Sequence, residues 1–267
     1  MKAMEEKIIT REQPEYFVQS QSIVRQIWGK GDTILFIFAG AAAEFALNRA
    51  VDWLYFTGRL PADPLGRLFS TVTYARQIVF AERSMALEAI DHINSIHAKI
   101  ETDRNQKIPD WAYRDVLFML IDYSIKAYEI MERKLNSAEK AEVFDVFNRV
   151  GQRMHIQDLP SNYSEWQKMR KAHLRQDLIN SKFTRDLYVQ YRKHLGPVRY
   201  FLLLETQNLI TPAKVRLLLG FKRGSLLAPL LWMYKLSRKF NLDKLAKAII
   251  LPREYKAEIK SLDMLPS

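Results

Sequence analysis

Glycine is scarce in this chain, and that scarcity limits the folds the chain can adopt. Only nine of the 267 residues are glycine, and ten are proline. Hairpin turns and phosphate-binding loops depend on glycine, so β-sandwiches, β-barrels and nucleotide-binding folds are disfavoured. Proline and glycine stand singly between segments of helical periodicity, and no internal repeat or low-complexity linker divides them. The sequence therefore predicts one all-α, multi-helix domain over residues 1–267.

Apolar periodicity and capping signals divide the chain into helical segments. Ser137 is expected to cap the helix that follows it, and Ser164 with Gln167 has the spacing of a capping box. The apolar run over residues 34–47 is shorter than the roughly 20 residues that cross a bilayer and contains Glu44, so we interpret it as a buried helix. The predicted helices are residues 15–28, 33–57, 64–80, 82–101, 110–135, 138–152, 164–180, 184–194, 197–208, 212–219 and 226–248.

Several kinds of chemistry are excluded or disfavoured by residues that the sequence lacks. Cysteine is absent, which rules out disulfides, thiolate catalysis and thiolate-bound metal or heme. The Glu-x-x-His pairs of di-iron proteins, the His-Glu-x-x-His zinc motif and the Gly-x-Ser-x-Gly hydrolase elbow do not occur either. A metal in this chain would have to bind nitrogen or oxygen ligands.

Positive charge is concentrated near the C-terminus. The net charge is +11, and residues 213–260 hold twelve Lys or Arg against only Asp243, Glu254 and Glu258. Residues 221–267 therefore form a predicted basic, amphipathic extension, which suits an anionic membrane surface or a helix packed on the domain with its lysines in water. A motif for reading nucleic acid is absent, so no nucleic-acid partner is expected. Residues 1–14 are polar and do not resemble a secretory signal, which favours a cytoplasmic location with peripheral membrane contact.

The segment 82–101 places a histidine within an apolar stripe. Small and β-branched residues recur at helical spacing on one face, and His97 lies among them, whereas His92 falls at the margin of the stripe. A histidine in apolar surroundings must satisfy its ring nitrogens, either by hydrogen bonds to nearby carbonyls or hydroxyls or by a metal. Both interpretations of His97 stay open at this point.

A second motif precedes that helix. Residues 63–71 read Asp-Pro-Leu-Gly-Arg-Leu-Phe-Ser-Thr, and Arg67 and Thr71 share one helix face at spacing i, i+4. This motif, followed by an apolar helix that contains His97, resembles the rubber oxygenases (latex-clearing proteins) and the mpaB catalytic domains. Weaker similarity continues at residues 39–47 and at the Leu-Pro and Glu-Trp pairs of residues 159–166, so the resemblance covers about residues 30–220.

The resemblance implies a partly globin-like helical fold that holds heme b. His97 would be the axial ligand of the iron, and Arg67 and Thr71 would lie on the distal or propionate side. The implied reaction is oxidative cleavage of a carbon–carbon double bond in an isoprenoid or other lipophilic substrate, with dioxygen as the oxidant. The alternative is a non-catalytic helical scaffold, or a heme- or lipid-binding protein, of the same fold.

Two positions depart from the pattern of that family. Ser70 stands where the latex-clearing branch has a lysine, and Tyr113 stands where the family commonly has the histidine of a Trp-x-His element. A lysine on the distal side of the iron and a second imidazole are therefore not expected in this chain.

Overall fold

The computed structural model of the protein describes residues 15–56, 58, 62–221 and 224–238. Within these residues the chain is helical, and its only β-type pairing is two isolated bridges, Tyr16 with Glu82 and Asn48 with Leu178. The predicted all-α fold is confirmed. The helices are α1 (Ile23–Trp28), α2 (Gly31–Leu47), α3 (Val51–Phe56), α4 (Pro64–Phe80), α5 (Arg83–Arg104), α6 (Asp110–Met131), α7 (Ser137–Arg153), α8 (Tyr163–Gln176), α9 (Lys182–Ile210), α10 (Ala213–Leu219) and α11 (Leu227–Arg238).

Helices α2 and α6 form the centre of the fold. They pack against each other along much of their length, with α7 beside α6, α9 beside α2, and α4 paired with α5. Both central helices are apolar on several faces, as expected for helices enclosed by others. Their largest fully buried side chains include Ile34, Ile37, Phe118 and Tyr123.

Two of the predicted helices were too long. Residues 15–22 are not helical, because Ser22 accepts a hydrogen bond from the Val24 N–H at 3.1 Å and begins α1 there. The predicted helix 33–57 is two helices, α2 and α3. Asn48 separates them: its Oδ1 accepts the Ala50 N–H at 2.8 Å and its Nδ2 donates to Asp115 at 2.6 Å, so its side chain closes a turn.

The predicted helix starts were close, but the capping residues were not those expected. Asn136, not Ser137, caps α7 in a capping box with Glu139. Asn162, rather than Ser164, caps α8 by accepting the Glu165 N–H at 3.0 Å. In each case an asparagine one or two residues upstream supplies the oxygen, which is consistent with the strong preference for asparagine at this position.

Two further boundaries were predicted from proline and glycine. The segments 184–194 and 197–208 are the two arms of α9, which bends at Gly196, whose φ of 69° lies in the left-handed region that glycine tolerates. The start of the predicted helix 226–248 is confirmed by α11, and its residues beyond 238 lie outside the described part.

A charged cluster is buried between α2, α6 and α8. Arg170 of α8 donates to both carboxylate oxygens of Glu44 in α2 and to Asp122 in α6. Its Nη2 lies 2.6 Å from a Glu44 oxygen and 2.9 Å from an Asp122 oxygen. The Tyr123 hydroxyl donates to the same Glu44 carboxylate at 2.8 Å. Burial alone would lower the pKa of Arg170, but the charges of Glu44 and Asp122 outweigh it and raise that pKa well above its ordinary value.

The close approach of α2 and α6 at this cluster requires a glycine. A Cβ built on Gly40 would lie 2.4 Å from the Tyr123 ring, a contact that a side chain could not make without displacing the ring. Gly40 therefore allows the Tyr123 hydroxyl to reach Glu44 one turn further along α2.

Candidate active site

The first part of the Asp-Pro-Leu-Gly motif starts helix α4. Asp63 is the N-cap and accepts the Gly66 N–H at 2.8 Å, and Pro64 occupies the first helical position. A Cβ on Gly66 would lie 2.0 Å from the Asp63 carboxylate, so glycine leaves room for the cap. These residues fix where α4 begins and hence the register of the residues that follow them.

Helices α4 and α5 pack side by side and form one wall of a cavity of about 340 Å³. The opposite walls come from α2, α6 and α7, with single residues from α3 and α9. Apart from His97, no ionisable group other than tyrosine lines the cavity within the described residues. The lining is Phe38, Ala41, Ala42, Phe45, Ala50, Trp53, Ser70, Thr71, Tyr74, Ala75, Ile78, Val79, Ile93, Ile96, His97, Ile100, Ile108, Ala112, Tyr113, Val116, Leu117, Met119, Leu120, Val146, Phe147, Val150, Met154, Ile156 and Tyr191.

Two of the three predicted site residues meet at this cavity. His97 enters the lining from α5 and Thr71 from α4, together with the neighbouring Ser70. The sequence-predicted stripe of α5 is therefore the face that α5 turns toward the cavity, with Ile93, Ile96 and Ile100 around the histidine. The third predicted residue, Arg67, belongs to α4, but its side chain lies outside the described part of the structure.

The histidine ring meets an aromatic ring from α6. The rings of His97 and Tyr113 lie edge to face, with centroids 5.2 Å apart and planes at 70°. Tyr113 is the residue at the position where the similar families commonly have histidine, and it also lines the cavity. The His97 imidazole is thus positioned by its helix on one side and by an aromatic edge on the other.

Tyr113 is held in its neutral form beside a carboxylate. Its hydroxyl lies 3.4 Å from Glu101, and burial together with the negative charge of Glu101 raises the pKa of Tyr113 well above its ordinary value. Burial alone would raise the pKa of Glu101, but hydrogen bonds from Lys107 and the Ile108 N–H outweigh it and lower that pKa. Tyr113 therefore presents a neutral phenol to the cavity, whereas Glu101 stays ionised.

A second polar cluster lies near the same helices. Asp115, His173 and Asp177 offer ligand atoms that are all within 4.8 Å of one another, which is a spacing that could hold a metal ion. However, His173 Nδ1 is already hydrogen-bonded to one Asp115 oxygen, and Asn48 donates to the other at 2.6 Å. The His173 ring also stacks on Phe118. These contacts join α6, α8 and the α2–α3 turn, and we assign the cluster to the support of the fold.

Several residues at the site were not predicted from the sequence. The aromatic side chains of Trp53, Tyr74 and Tyr191 line the cavity, but nothing in their local pattern separates them from ordinary core residues. Asp115 and His173 were likewise not paired, since they are separated by 58 residues. Only the long-range packing of α6 against α8 brings that pair together.

Comparison with known protein families identifies the family of the chain. A family model described as "ER-bound oxygenase mpaB/B'/Rubber oxygenase, catalytic domain" matches residues 26–246, which span all eleven described helices in whole or in part. Neither a curated protein nor a solved structure gives a significant match. Among the described residues, no helix is both long and apolar enough to cross a membrane.

The matched segment covers most of the chain, and it contains every described residue that lines the cavity. The match extends to residue 246 and so takes in part of the basic C-terminal region. The cavity with His97 and Thr71 thus lies within an oxygenase-type catalytic domain, and the chain belongs to the family of mpaB and rubber oxygenase catalytic domains.

Proposed function

We propose that the protein is a heme b-dependent oxygenase that cleaves a carbon–carbon double bond in a lipophilic substrate, such as an isoprenoid. The observation that carries this proposal is the single cavity reached by both His97 and Thr71 from adjacent helices. A nitrogen ligand, apolar walls and a few hydroxyl groups are the features that a heme pocket for dioxygen chemistry requires.

The donor set suits this cofactor better than a metal ion held by protein ligands alone. One imidazole reaches the cavity and no carboxylate or thiol accompanies it in the described lining, so a bare ion would lack ligands. A porphyrin supplies four nitrogens of its own and requires mainly apolar contact, which the isoleucines and aromatic residues around His97 offer. Heme, when bound, would supply the iron at which dioxygen reacts.

The residues around His97 would each perform a limited task. His97 would hold the iron from one side, and the edge of the Tyr113 ring would restrict rotation of its imidazole. Thr71 and Ser70 would offer hydroxyl donors from α4. Arg67 is proposed, from its place in the family motif, to bind a propionate or to stabilise negative charge near the iron.

The substrate is proposed to be lipophilic because the remaining lining is apolar. Aliphatic and aromatic side chains from seven helices would exclude water and give no fixed charge to a polar substrate. The family match supports an oxygenase-type catalytic domain in general, and the substrate is left to experiment.

Peripheral contact with an anionic membrane is proposed as the source of such a substrate. Phe201 and Trp232 are exposed large apolar residues on α9 and α11, at 46% and 69% exposure. Residues 182–238 also contain eleven Lys or Arg against Asp186 and Glu205, and Glu205 is buried. Exposed aromatic side chains among cations are suited to the headgroup region of a bilayer.

Absorption spectroscopy tests the cofactor. The protein, expressed with added heme precursor, should show a Soret band that His97→Ala abolishes. His92→Ala on the same helix is the matched control and should retain most of the band, because His92 is exposed and does not line the cavity. Equal behaviour of the two variants would show that His97 is not the ligand.

A colourless wild-type protein that stays unliganded after heme titration would support the scaffold alternative instead. If heme binds, oxygen consumption and carbonyl products should be measured with polyunsaturated isoprenoids. Matched saturated analogues should yield neither, since they lack the bond that is cleaved.

A further inference from the structure

Arg104 lies at the end of the α5 face that lines the cavity. It follows His97 by seven residues, which brings it back to within about 20° of the same helix face and about 10 Å further along the helix axis. His97 itself, Ile96 before it and Ile100 after it all line the cavity. Arg104 thus extends the row of side chains that begins around His97.

The guanidinium of Arg104 lies against a cavity residue. It is 4.0 Å above the centroid of the Trp53 ring, and Trp53 is part of the lining. Its Nη2 donates to Asp52 at 2.7 Å, which holds the group in place beside α3. The side chain is about one-fifth exposed, and Arg104 contacts the cavity lining through Trp53 without being part of that lining.

One nitrogen of this guanidinium lacks an acceptor within the described residues. Nη1 of Arg104 is buried and has no hydrogen-bond partner within the described part of the chain. A buried guanidinium N–H without an acceptor is unfavourable, and buried polar groups in native proteins are nearly always paired. Asp52 accepts a hydrogen bond only from Nη2, so an acceptor for the Nη1 N–H groups would have to come from outside the described part of the chain, by a small shift of the side chains that enclose Nη1.

We propose that Arg104 is a carboxylate-binding residue for the ligand of this cavity. The carboxylate would come from one of two sources: a propionate of the porphyrin, or the head group of an acidic lipid. The first source rests on the proposed heme function, whereas the second does not. Porphyrin propionates project from one edge of the ring and away from the iron, so a porphyrin anchored at His97 would extend its carboxylates along the cavity wall. Asp52 acts here as a positioning residue for Arg104.

Paired acid and ester ligands test the proposal without a measurement of turnover. Two ligand pairs are titrated into wild-type protein: hemin with its dimethyl ester, and oleic acid with methyl oleate. Porphyrin binding is followed by Soret absorption, and lipid binding is followed by the change in tryptophan fluorescence. The wild type should bind the acid more tightly than the ester of at least one pair, on the order of 10-fold to 100-fold for a charge-assisted hydrogen bond.

Variants at Arg104 assign that preference. Arg104→Met should remove the preference for the acid, and Arg104→Lys should restore part of it. Arg133→Met, at an exposed arginine that pairs with Glu139 on another surface, is the control and should leave the preference unchanged. If Arg104→Met no longer prefers the acid of one ligand pair, that pair identifies the source of the carboxylate as porphyrin or lipid.

The possible outcomes separate the carboxylate role of Arg104 from the proposed heme function. If the wild type binds no porphyrin, the proposed heme function fails and the oleate pair alone decides the role of Arg104. If the wild type binds hemin but treats acid and ester alike in both pairs, or if Arg104→Met keeps the wild-type preference, the carboxylate role is overturned and the heme function stands. Because the wild-type comparison needs no variant, the proposal stays testable even if Arg104→Met fails to fold.

Discussion

Helices α2 and α6 present two different surfaces to the helices around them. Toward α4 and α5 they offer apolar side chains, such as Phe45 of α2 and Leu120 of α6, to the cavity. Toward α8 they offer Glu44 and Asp122, both bound to Arg170. The carboxylates of Glu44 and Asp122 therefore lie where the helices are held together, and no carboxylate lines the cavity within the described residues.

His173 and His97 differ in the same way, one on the charged surface and the other at the cavity. His173 is buried and hydrogen-bonded to Asp115 on the charged side, whereas His97 lies in the apolar cavity against the edge of Tyr113. The contact of His173 with Asp115 supports the fold, whereas His97 is the residue that would hold the proposed heme. This contrast predicts that stability and ligand binding can be separated by mutation.

The largest effect should come from Arg170→Met, which leaves Glu44 and Asp122 buried without their shared cation. Removal of one partner from a buried ion pair typically costs about 3–5 kcal/mol in the free energy of unfolding. Urea denaturation should show this loss, whereas Lys126→Met, which removes a more exposed partner of Asp122, should cost less than about 1 kcal/mol. Equal, small losses in both variants would remove the contrast between the two sides.

His173→Ala should have the next largest effect. The loss of its hydrogen bond to buried Asp115 should lower the free energy of unfolding by about 1.5–3 kcal/mol. The Soret band of the folded variant should remain, which is the opposite of the result expected for His97→Ala. Loss of heme in folded His173→Ala would show that the charged side also determines ligand binding.

A smaller effect, on membrane binding, is expected at the exposed surface of α9 and α11, which differs from both the charged cluster and the cavity. Trp232→Ser and Phe201→Ser should each weaken binding to phosphatidylserine-containing vesicles by roughly 2-fold to 5-fold, since each removes apolar area from the interface. Met85→Ser, at an exposed apolar residue on α5, is the control in the same sedimentation assay and should not change binding. Equal binding to neutral phosphatidylcholine vesicles would contradict a contact with anionic lipid.

The smallest effect concerns pH at Asp177. Burial, with the negative charge of Asp115 next in importance, raises the pKa of Asp177 above its ordinary value of 3.8. The folded protein then holds this proton at pH values where the unfolded chain has released it, so the contribution of Asp177 to stability falls as pH rises from 3.8 to the folded pKa. Asp177→Asn should therefore gain Tm relative to wild type across that interval, whereas the surface variant Asp145→Asn should not.

The fold was more predictable than the polar contacts. Apolar periodicity correctly identified α5 and the face that holds His97, because one helix carries the whole signal. The side chain of Asn48 ended α2 where hydrophobicity alone predicted continuation, and asparagines rather than the expected serines capped α7 and α8. A short polar side chain competes with the helix through one hydrogen bond, and a hydrophobic pattern does not record that competition.

The candidate site was predicted from the family resemblance. Thr71 and His97, which that resemblance named, belong to adjacent helices joined by a short turn and both line one cavity, whereas their roles stay predictions. Glu44 was recognised as a charge inside an apolar run, but its partner Arg170 lies 126 residues away and shows no local signal. Pairs of this kind depend on the packing of α2 against α6 and α8, which a single sequence does not specify.

The separation of the two sides also bears on how the protein is assembled. The Glu44–Arg170–Asp122 contacts that hold α2, α6 and α8 involve no residue of the cavity lining. The energy that joins these helices is therefore available before any cofactor arrives. For the proposed heme protein, we expect biosynthesis to proceed in two steps: the chain folds first and takes up heme afterwards, so that heme supply would limit how many copies are loaded rather than how many fold.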